Sequence, residues 1–250
     1  MGFVKAVILS AGQGRRLLPL TQNLPKCALP VAGRPIILRQ IDTLFAAGVE
    51  QVVVILGHEV EAVEKILASH ERHRQIRTIY NPFYAVSDNL ASCWLASPEM
   101  DGDFMLINGD TLCELAVVQR LLASPRAAVT STVNRKSDYD DDDMRVTLDG
   151  KRLTQIGKRL PDSETDGEAI GMTLFRGNGP ARFRWALERA VRHPKSLKQW
   201  YVSVLNELAQ SGIVSTCLID GLRWTEVDTP DDLTHATHLF DKSARTADQS

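Results

Sequence analysis

Residues 3–10 (FVKAVILS) form an apolar run that ends in a stretch of small residues and then two arginines, Arg15 and Arg16. A run of this kind, without polar alternation, suits a strand covered on both faces, as in a parallel sheet between helical layers. The same unit recurs down the first half. Gly33-Arg34-Pro35 is expected to start a helix, with Pro35 in its first turn and Ile37, Leu38, Ile41, Leu44 and Phe45 at helical spacing. Residues 51–56 (QVVVIL) read as a second buried strand, and Val60, Val63, Ile66 and Leu67 mark a second helix. Residues 76–80 and 104–107 read as strands, with a helix over 90–96 between them. This alternation predicts an α/β fold, a Rossmann-like, mostly parallel sheet flanked by helices and joined by right-handed crossovers.

The second half changes style. Residues 127–133, 144–148, 153–156 and 170–175 read as β segments, followed by helices over 180–192 and 197–210. Strands at 214–219 and 224–227 and a helix from Pro230 complete the pattern. One domain over residues 1–240 is expected, with halves of about 1–125 and 126–240, a smaller β-rich insertion in the second, and a polar tail at 241–250.

The 250 residues carry 29 Lys+Arg against 31 Asp+Glu, a formal charge of −2, which argues against a surface that coats nucleic acid. No apolar run approaches the roughly 20 residues of a membrane-spanning helix. Four scattered cysteines without a CxxC pair fit buried thiols in a reducing cytoplasm. The two HxxH pairs, His70/His73 and His235/His238, lack nearby cysteines and are a weak zinc signal. The distribution of charge says more than its sum. Residues 1–41 hold six basic side chains and no acid, where an even spread would place about five acids.

The basic segment contains the loop Ser10-Ala11-Gly12-Gln13-Gly14-Arg15-Arg16, at the expected carboxyl edge of the first strand, where open α/β sheets bind ligands. Glycines let backbone N–H groups approach a phosphate, and Arg15, Arg16 and Lys26 can balance its charge. The dinucleotide fingerprint fails because Leu17 stands where its third glycine belongs, and no GK[ST] completes a P-loop. By itself, GxG with two arginines serves equally as a plain strand–helix turn.

The longer stretch is more specific. LSAGQGRRLLPLTQNLPKCALPVAGRP, residues 9–35, closely resembles the signature of the nucleotidyltransferases that activate phosphorylated sugars and alcohols. Gly12, Gly14, Arg16, Pro19, Leu20, Thr21, Pro25 and Lys26 fall on pattern positions, while Ser10 replaces an alanine and Arg15 a small hydroxyl residue. The resemblance implies a fold of the nucleotide-diphospho-sugar transferase type, with the nucleotide in the first half and its acceptor in the second. It implies nucleotide binding by Ser10, Ala11, Gly12, Gly14, Arg15, Arg16 and Lys26, with Arg16 and Lys26 as catalytic cations. It also implies Mg²⁺ held by Asp110, in Asn108-Gly109-Asp110, and by Asp228, in Glu226-Val227-Asp228. Each aspartate has an ordinary alternative as a helix N-cap. Glu226 and Asp231 are weaker metal candidates.

Further motifs resemble the phosphocholine cytidylyltransferase-like branch: Asn81-Pro82-Phe83-Tyr84, then Asn89-Leu90-Ala91-Ser92, Ile156-Gly157-Lys158 and Gly167-Glu168. This resemblance places Asn89, Ser92 and Gly57 beside the nucleotide, Lys158 on the acceptor phosphate and Glu168 at its cationic end. Trp94, Trp200, Tyr201 and Trp224 are candidate walls for a quaternary ammonium, and each is equally a candidate core residue. The acidic run at 138–143 reads as a solvated loop or a cation trap. A Mg²⁺-dependent cytidylyltransferase acting on CTP (or another NTP) and a small phosphorylated alcohol, phosphocholine first, is the function implied. A sugar-1-phosphate or inositol-phosphate nucleotidyltransferase is the alternative enzyme, and a non-catalytic nucleotide-binding regulatory subunit the alternative class. A homo-oligomer is left open.

Overall fold

The computed structural model describes residues 4–241. Residue 3 of the expected first strand and 242–250 of the expected polar tail lie outside the described residues. In chain order the strands are β1 (Lys5–Ser10), β2 (Pro30–Val31), β3 (Arg34–Pro35), β4 (Gln51–Leu56), β5 (Ile76–Tyr80), β6 (Phe104–Asn108), β7 (Thr111–Cys113), β8 (Val129–Asn134), β9 (Arg145–Asp149), β10 (Arg152–Ile156), β11 (Gly167–Phe175), β12 (Val214–Leu218) and β13 (Trp224–Glu226). The helices are α1 (Ile36–Ala46), α2 (Val60–Ala68), α3 (Asn89–Leu95), α4 (Leu115–Leu122), α5 (Gly179–Val191), α6 (Val202–Gln210) and α7 (Pro230–Phe240).

Nine strands make one sheet in the order β5-β4-β1-β6-β11-β8-β12-β10-β9. Strands β5, β4, β1 and β6 are parallel, with Val7 level with Val53 on one side and Leu106 on the other. Side-chain alternation explains why β1 had to be apolar throughout. Val7 and Leu9 enter a core under α3, α5 and α6, while Ala6 and Ile8 enter a second core under α1, α2 and α4. Strand β11 then joins β6 antiparallel. The β-rich second half extends the same sheet and makes it mixed. Their two-faced burial shows in the first core, where Phe104, Phe175 and Phe183 pack with centroids 4.5 Å and 4.4 Å apart along the series and no exposed surface. Phe183→Ala is expected to cost about 3–5 kcal/mol of stability by leaving a cavity, read as a lower urea midpoint with an unchanged slope.

Three local expectations change. Arg34 and Pro35 close a short hairpin with Pro30 and Val31, so Pro35 precedes α1 rather than occupying its first turn. The helix expected over 197–210 is interrupted, with a single tight turn at Ser196–Lys198 and then α6. The break has a use: Leu197 and Gln199 carbonyls accept from the N–H groups of Asp88 and Leu90, and Tyr201 N–H donates to Asn89 Oδ1 at 2.9 Å. The start of α3 is thereby docked on the second half. Finally, β13 lies outside the main sheet and pairs only with β7, an element the sequence did not announce.

A third, small core of Leu17, Leu29, Val31, Ile36, Leu112, Val227 and Ala236 fastens the glycine loop, the β2–β3 hairpin, β7 and α7 together. It is what positions the site.

Candidate active site

The loop after β1, the turn after β6 and the segment after β13 meet at the carboxyl edge of the parallel strands. Gly14 adopts φ +69°, and a Cβ there would come within 2.8 Å of Lys26 Cβ. Glycine thus lets Lys26 cross under the loop. Its ammonium reaches Asp110 Oδ2 at 2.7 Å and also bonds Asp228 Oδ1, although these residues lie 84 and 202 positions away. Burial would lower the Lys26 pKa, but Asp110 and Asp228 outweigh it, so the lysine is held charged. Arg16 Nη2 adds a bond to Asp228 Oδ2 at 2.6 Å.

Neither aspartate is a helix cap. Asp110 precedes β7, and α4 begins later with Glu114 at its N-cap. The cap of α7 is Thr229, in a reciprocal box with Asp232, which leaves the Asp228 carboxylate to the cleft. Asp110 Oδ1 is buried without a hydrogen-bond partner. Such an orphan oxygen, beside a second carboxylate, fits a hard divalent cation that takes its remaining ligands from phosphate oxygens and water. Among the described residues no three His, Cys, Asp or Glu converge to hold a metal on their own. Glu226 sits behind the pair, where burial, with Asp110 and Asp228 adding, pushes its carboxyl up to about 8.

Two connected clefts flank the cluster. One, of about 300 Å³, is lined by Ser10, Ala11, Gly12, Gly14, Lys26, Asn89, Ser92, Asp110, Trp200 and Asp228, among others. The second, of about 220 Å³, shares Asn89, Asp110, Trp200 and Asp228 and continues to Arg16, Lys158, Tyr201 and Asp142. An outer acidic hollow holds Glu168 and Trp224. A cavity of about 440 Å³ opens elsewhere, beside α1 and the end of α7, away from these groups.

Several expected residues have other duties. Trp94 lines none of the three clefts; its indole N–H donates to Glu188 Oε2 at 3.0 Å, so it ties α3 to α5. Gly57 is a buttress rather than a lining residue, because a Cβ there would come within 2.4 Å of Tyr84 Cβ and 2.6 Å of the Ala11 carbonyl. Arg15 is exposed, with Nε 3.4 Å from Gln13 Oε1, and stays outside the clefts. Asn89 spends its Oδ1 on Tyr201, and Ser92 Oγ accepts from Asn81 Nδ2 at 2.9 Å, although both line the first cleft. Tyr201 is buried and donates to Asn108 Oδ1 at 3.0 Å, while Trp200 is half-exposed.

Sequence reasoning passed over Tyr84, Ser87 and Asp88, which line the first cleft. Ser87 Oγ is buried without a partner. Tyr84 ends the first quoted motif, and Ser87 and Asp88 fall between it and the second, but nothing in their spacing showed that Tyr84 packs on Gly57 beside the β1 loop.

A glycine loop, two cations and two facing carboxylates stand together at the carboxyl edge of an α/β sheet, a combination suited to phosphate groups and a divalent cation. Residues 5–140 match the nucleotidyl transferase family, and the chain belongs to it. It is 31% identical over 243 residues to the CMP-5'-(3-aminopropyl)phosphonate synthase of Streptomyces rubellomurinus, covering 95% of this chain and 39% of that protein. This chain thus spans about two fifths of that relative's length. It is 24% identical to the 2-aminoethylphosphonate cytidylyltransferase of Lancefieldella rimae, covering 94% and 92% of the two chains. The solved structure of the CTP:phosphocholine cytidylyltransferase from Streptococcus pneumoniae superposes with a TM-score of 0.77 at 21% identity, over 95% of this chain and 99% of the other. That likeness shows the fold, the nucleotide-diphospho-sugar transferase arrangement expected from the sequence.

Proposed function

We propose that the chain is a Mg²⁺-dependent cytidylyltransferase that joins CTP to a small aminoalkyl phosphate or phosphonate. The observation that carries this reading is the convergence of Lys26, Asp110 and Asp228 beneath the glycine loop. An acceptor phosphoryl oxygen attacks the α-phosphorus of CTP, the bond to the β-phosphate oxygen breaks, and pyrophosphate leaves. Lys26 and Arg16 balance the charge that builds on the phosphate oxygens, and the loop backbone holds the triphosphate in line. Held by Asp110 and Asp228, Mg²⁺ would supply Lewis-acid neutralisation of the triphosphate. A regulatory subunit would have no need of this intact set.

The amine end rests on the outer hollow. There the protein's own Lys136 ammonium lies 2.8 Å from Asp143 Oδ1 and 3.1 Å from the buried Glu168 Oε2, 5.7 Å from the centre of the Tyr139 ring. Carboxylates so arranged accept N–H bonds, which suits a primary ammonium better than a quaternary one. The aminoalkylphosphonate relatives support the same class. Four free thiols, with no described helix long and apolar enough to cross a membrane, support a cytoplasmic enzyme.

The test is pyrophosphate release across the four NTPs with aminoethylphosphonate, aminopropylphosphonate, phosphoethanolamine, phosphocholine, inositol phosphate and hexose-1-phosphates. CTP with an amine-bearing acceptor should win by at least about tenfold in kcat/KM, since losing one buried charge-assisted contact costs about that much. Preference for a hexose-1-phosphate with UTP or dTTP would assign the chain to sugar activation instead.

A further inference from the structure

Asp143 and Tyr139 belong to the outer hollow, but Asp142, in the same acidic run at 138–143, has no part in that hollow's ammonium contacts. In the structure the run forms a compact turn. Asp140 Oδ1 accepts from the N–H groups of Asp142 at 2.8 Å and Asp143 at 3.2 Å, and Asp143 Oδ2 accepts from Asp140 N–H at 2.7 Å. This turn presents the Asp142 carboxylate across the mouth of the second cleft. Its Oδ2 takes Arg16 Nη1 at 2.5 Å, and its Oδ1 takes Lys158 Nζ at 2.9 Å. Lys158 also lies 5.2 Å from the centre of the Trp200 ring.

One carboxylate thus bridges two cations brought from different parts of the chain. Arg16 follows β1 and touches Asp228; Lys158 follows β10 and lines the second cleft. Both line the second cleft, so in the transferase reading the acceptor's phosphoryl group would lie between these two cations. Two oxygens of a phosphoryl group can take the places of the two Asp142 oxygens, and the group brings a second negative charge that the carboxylate lacks.

We propose that Asp142 is an internal substitute for the acceptor's phosphoryl dianion, marking its subsite between Arg16 and Lys158 and yielding that place when the acceptor binds. The name of the ligand rests on the transferase reading; the anion subsite itself does not. Asp142 is 65% exposed in its side chain, so its ion pairs are screened and cheap to exchange. Removing them takes away the Lys158 ion pair and leaves Arg16 with Asp228 alone, which favours any anion that enters. The carboxylate also acts as a filter. Neutral and singly charged ligands gain little over the contact they displace, whereas phosphate monoesters and phosphonates gain a full extra charge.

The subsite is tested with methylphosphonate at pH 8, its binding measured by calorimetry on the full chain. Asp142→Asn should bind about threefold to tenfold more tightly than the parent, and Lys158→Met at least about tenfold more weakly. Asp142→Glu, which keeps the bridge charge, should stay near the parent. Melting temperatures identify any variant whose change comes from misfolding. Unchanged or weaker binding by a folded Asp142→Asn, or no binding by any variant at 50-fold over the parent's expected millimolar range (roughly, for two charge-assisted contacts), would overturn the proposal. In turnover assays Asp142→Asn should lower KM for the acceptor more than KM for CTP. If no NTP supports transfer while methylphosphonate binding behaves as stated, the transferase reading falls and the anion subsite stands.

Discussion

Lys26→Ala should reduce pyrophosphate release by about a thousandfold or more, equivalent to about 4 kcal/mol of transition-state stabilisation. The ammonium touches both Asp110 and Asp228, and it is only 13% exposed. Its loss removes a fixed cation where phosphate charge develops, in a site too enclosed for water to substitute well. It also leaves two carboxylates facing each other. The same variant should therefore bind Mg²⁺ more tightly without nucleotide, because the lysine no longer competes for the carboxylate oxygens. Lower turnover with tighter Mg²⁺ binding, in a protein of unchanged circular dichroism, is the expected pair of results. Turnover above a tenth of the parent's would place Lys26 away from the reacting phosphate.

Asp110→Ala should fall as far, for a different reason. Here the orphan Oδ1 and the Lys26-bonded Oδ2 vanish together, so metal affinity drops and Lys26 keeps only Asp228. Titration of Mg²⁺ or Mn²⁺ should show a right-shifted activation curve, and saturating metal should recover little of the turnover. Because Asp110 and Asp228 act as a unit, the double variant with Asp228→Ala should be scarcely worse than either single one. A double variant as slow as the product of the two single losses would mean that the aspartates act independently. Retained activity in Asp110→Ala would remove the metal pair from the reaction altogether.

The first half of this fold was legible because its inner strands β1, β4 and β6 are covered on both faces. Val7, Val53 and Leu106 lie level in the sheet, and each strand had to be apolar along its length to fill two cores. The second-half strands were also visible, as short β segments. Their membership of the same sheet was not, because β11 joins β6 through pairing that leaves no local trace in sequence. Three-residue strands such as β7 and β13 show no periodicity at all. At the site, the residues of the glycine loop, Lys26, Asp110 and Asp228 stood out by motif, and the structure brings them together. Aromatic residues did not sort themselves. Trp94 lies on a helix whose Leu90, Ala91 and Cys93 are buried, and only the packing of α5 shows that its indole turns toward Glu188 and away from the cleft. The bridging place of Asp142 was likewise invisible, since Arg16 is 126 residues away and composition shows only a run of acids.

The pairing of β7 with β13 fixes when the Lys26–Asp110–Asp228 cluster is complete. Trp224, Thr225 and Glu226 align with Cys113, Leu112 and Thr111, and that short ladder is what carries Asp228 to Asp110. A ribosome adds residues 224–228 after every other described strand of the fold. Before that the growing chain can form the parallel strands β5, β4, β1 and β6, but the small core that fastens the glycine loop still lacks Val227 and Ala236. In the proposed reaction, chemistry therefore waits for β13 and α7, and a copy cut before residue 224 lacks the Asp228 carboxylate that completes the cluster.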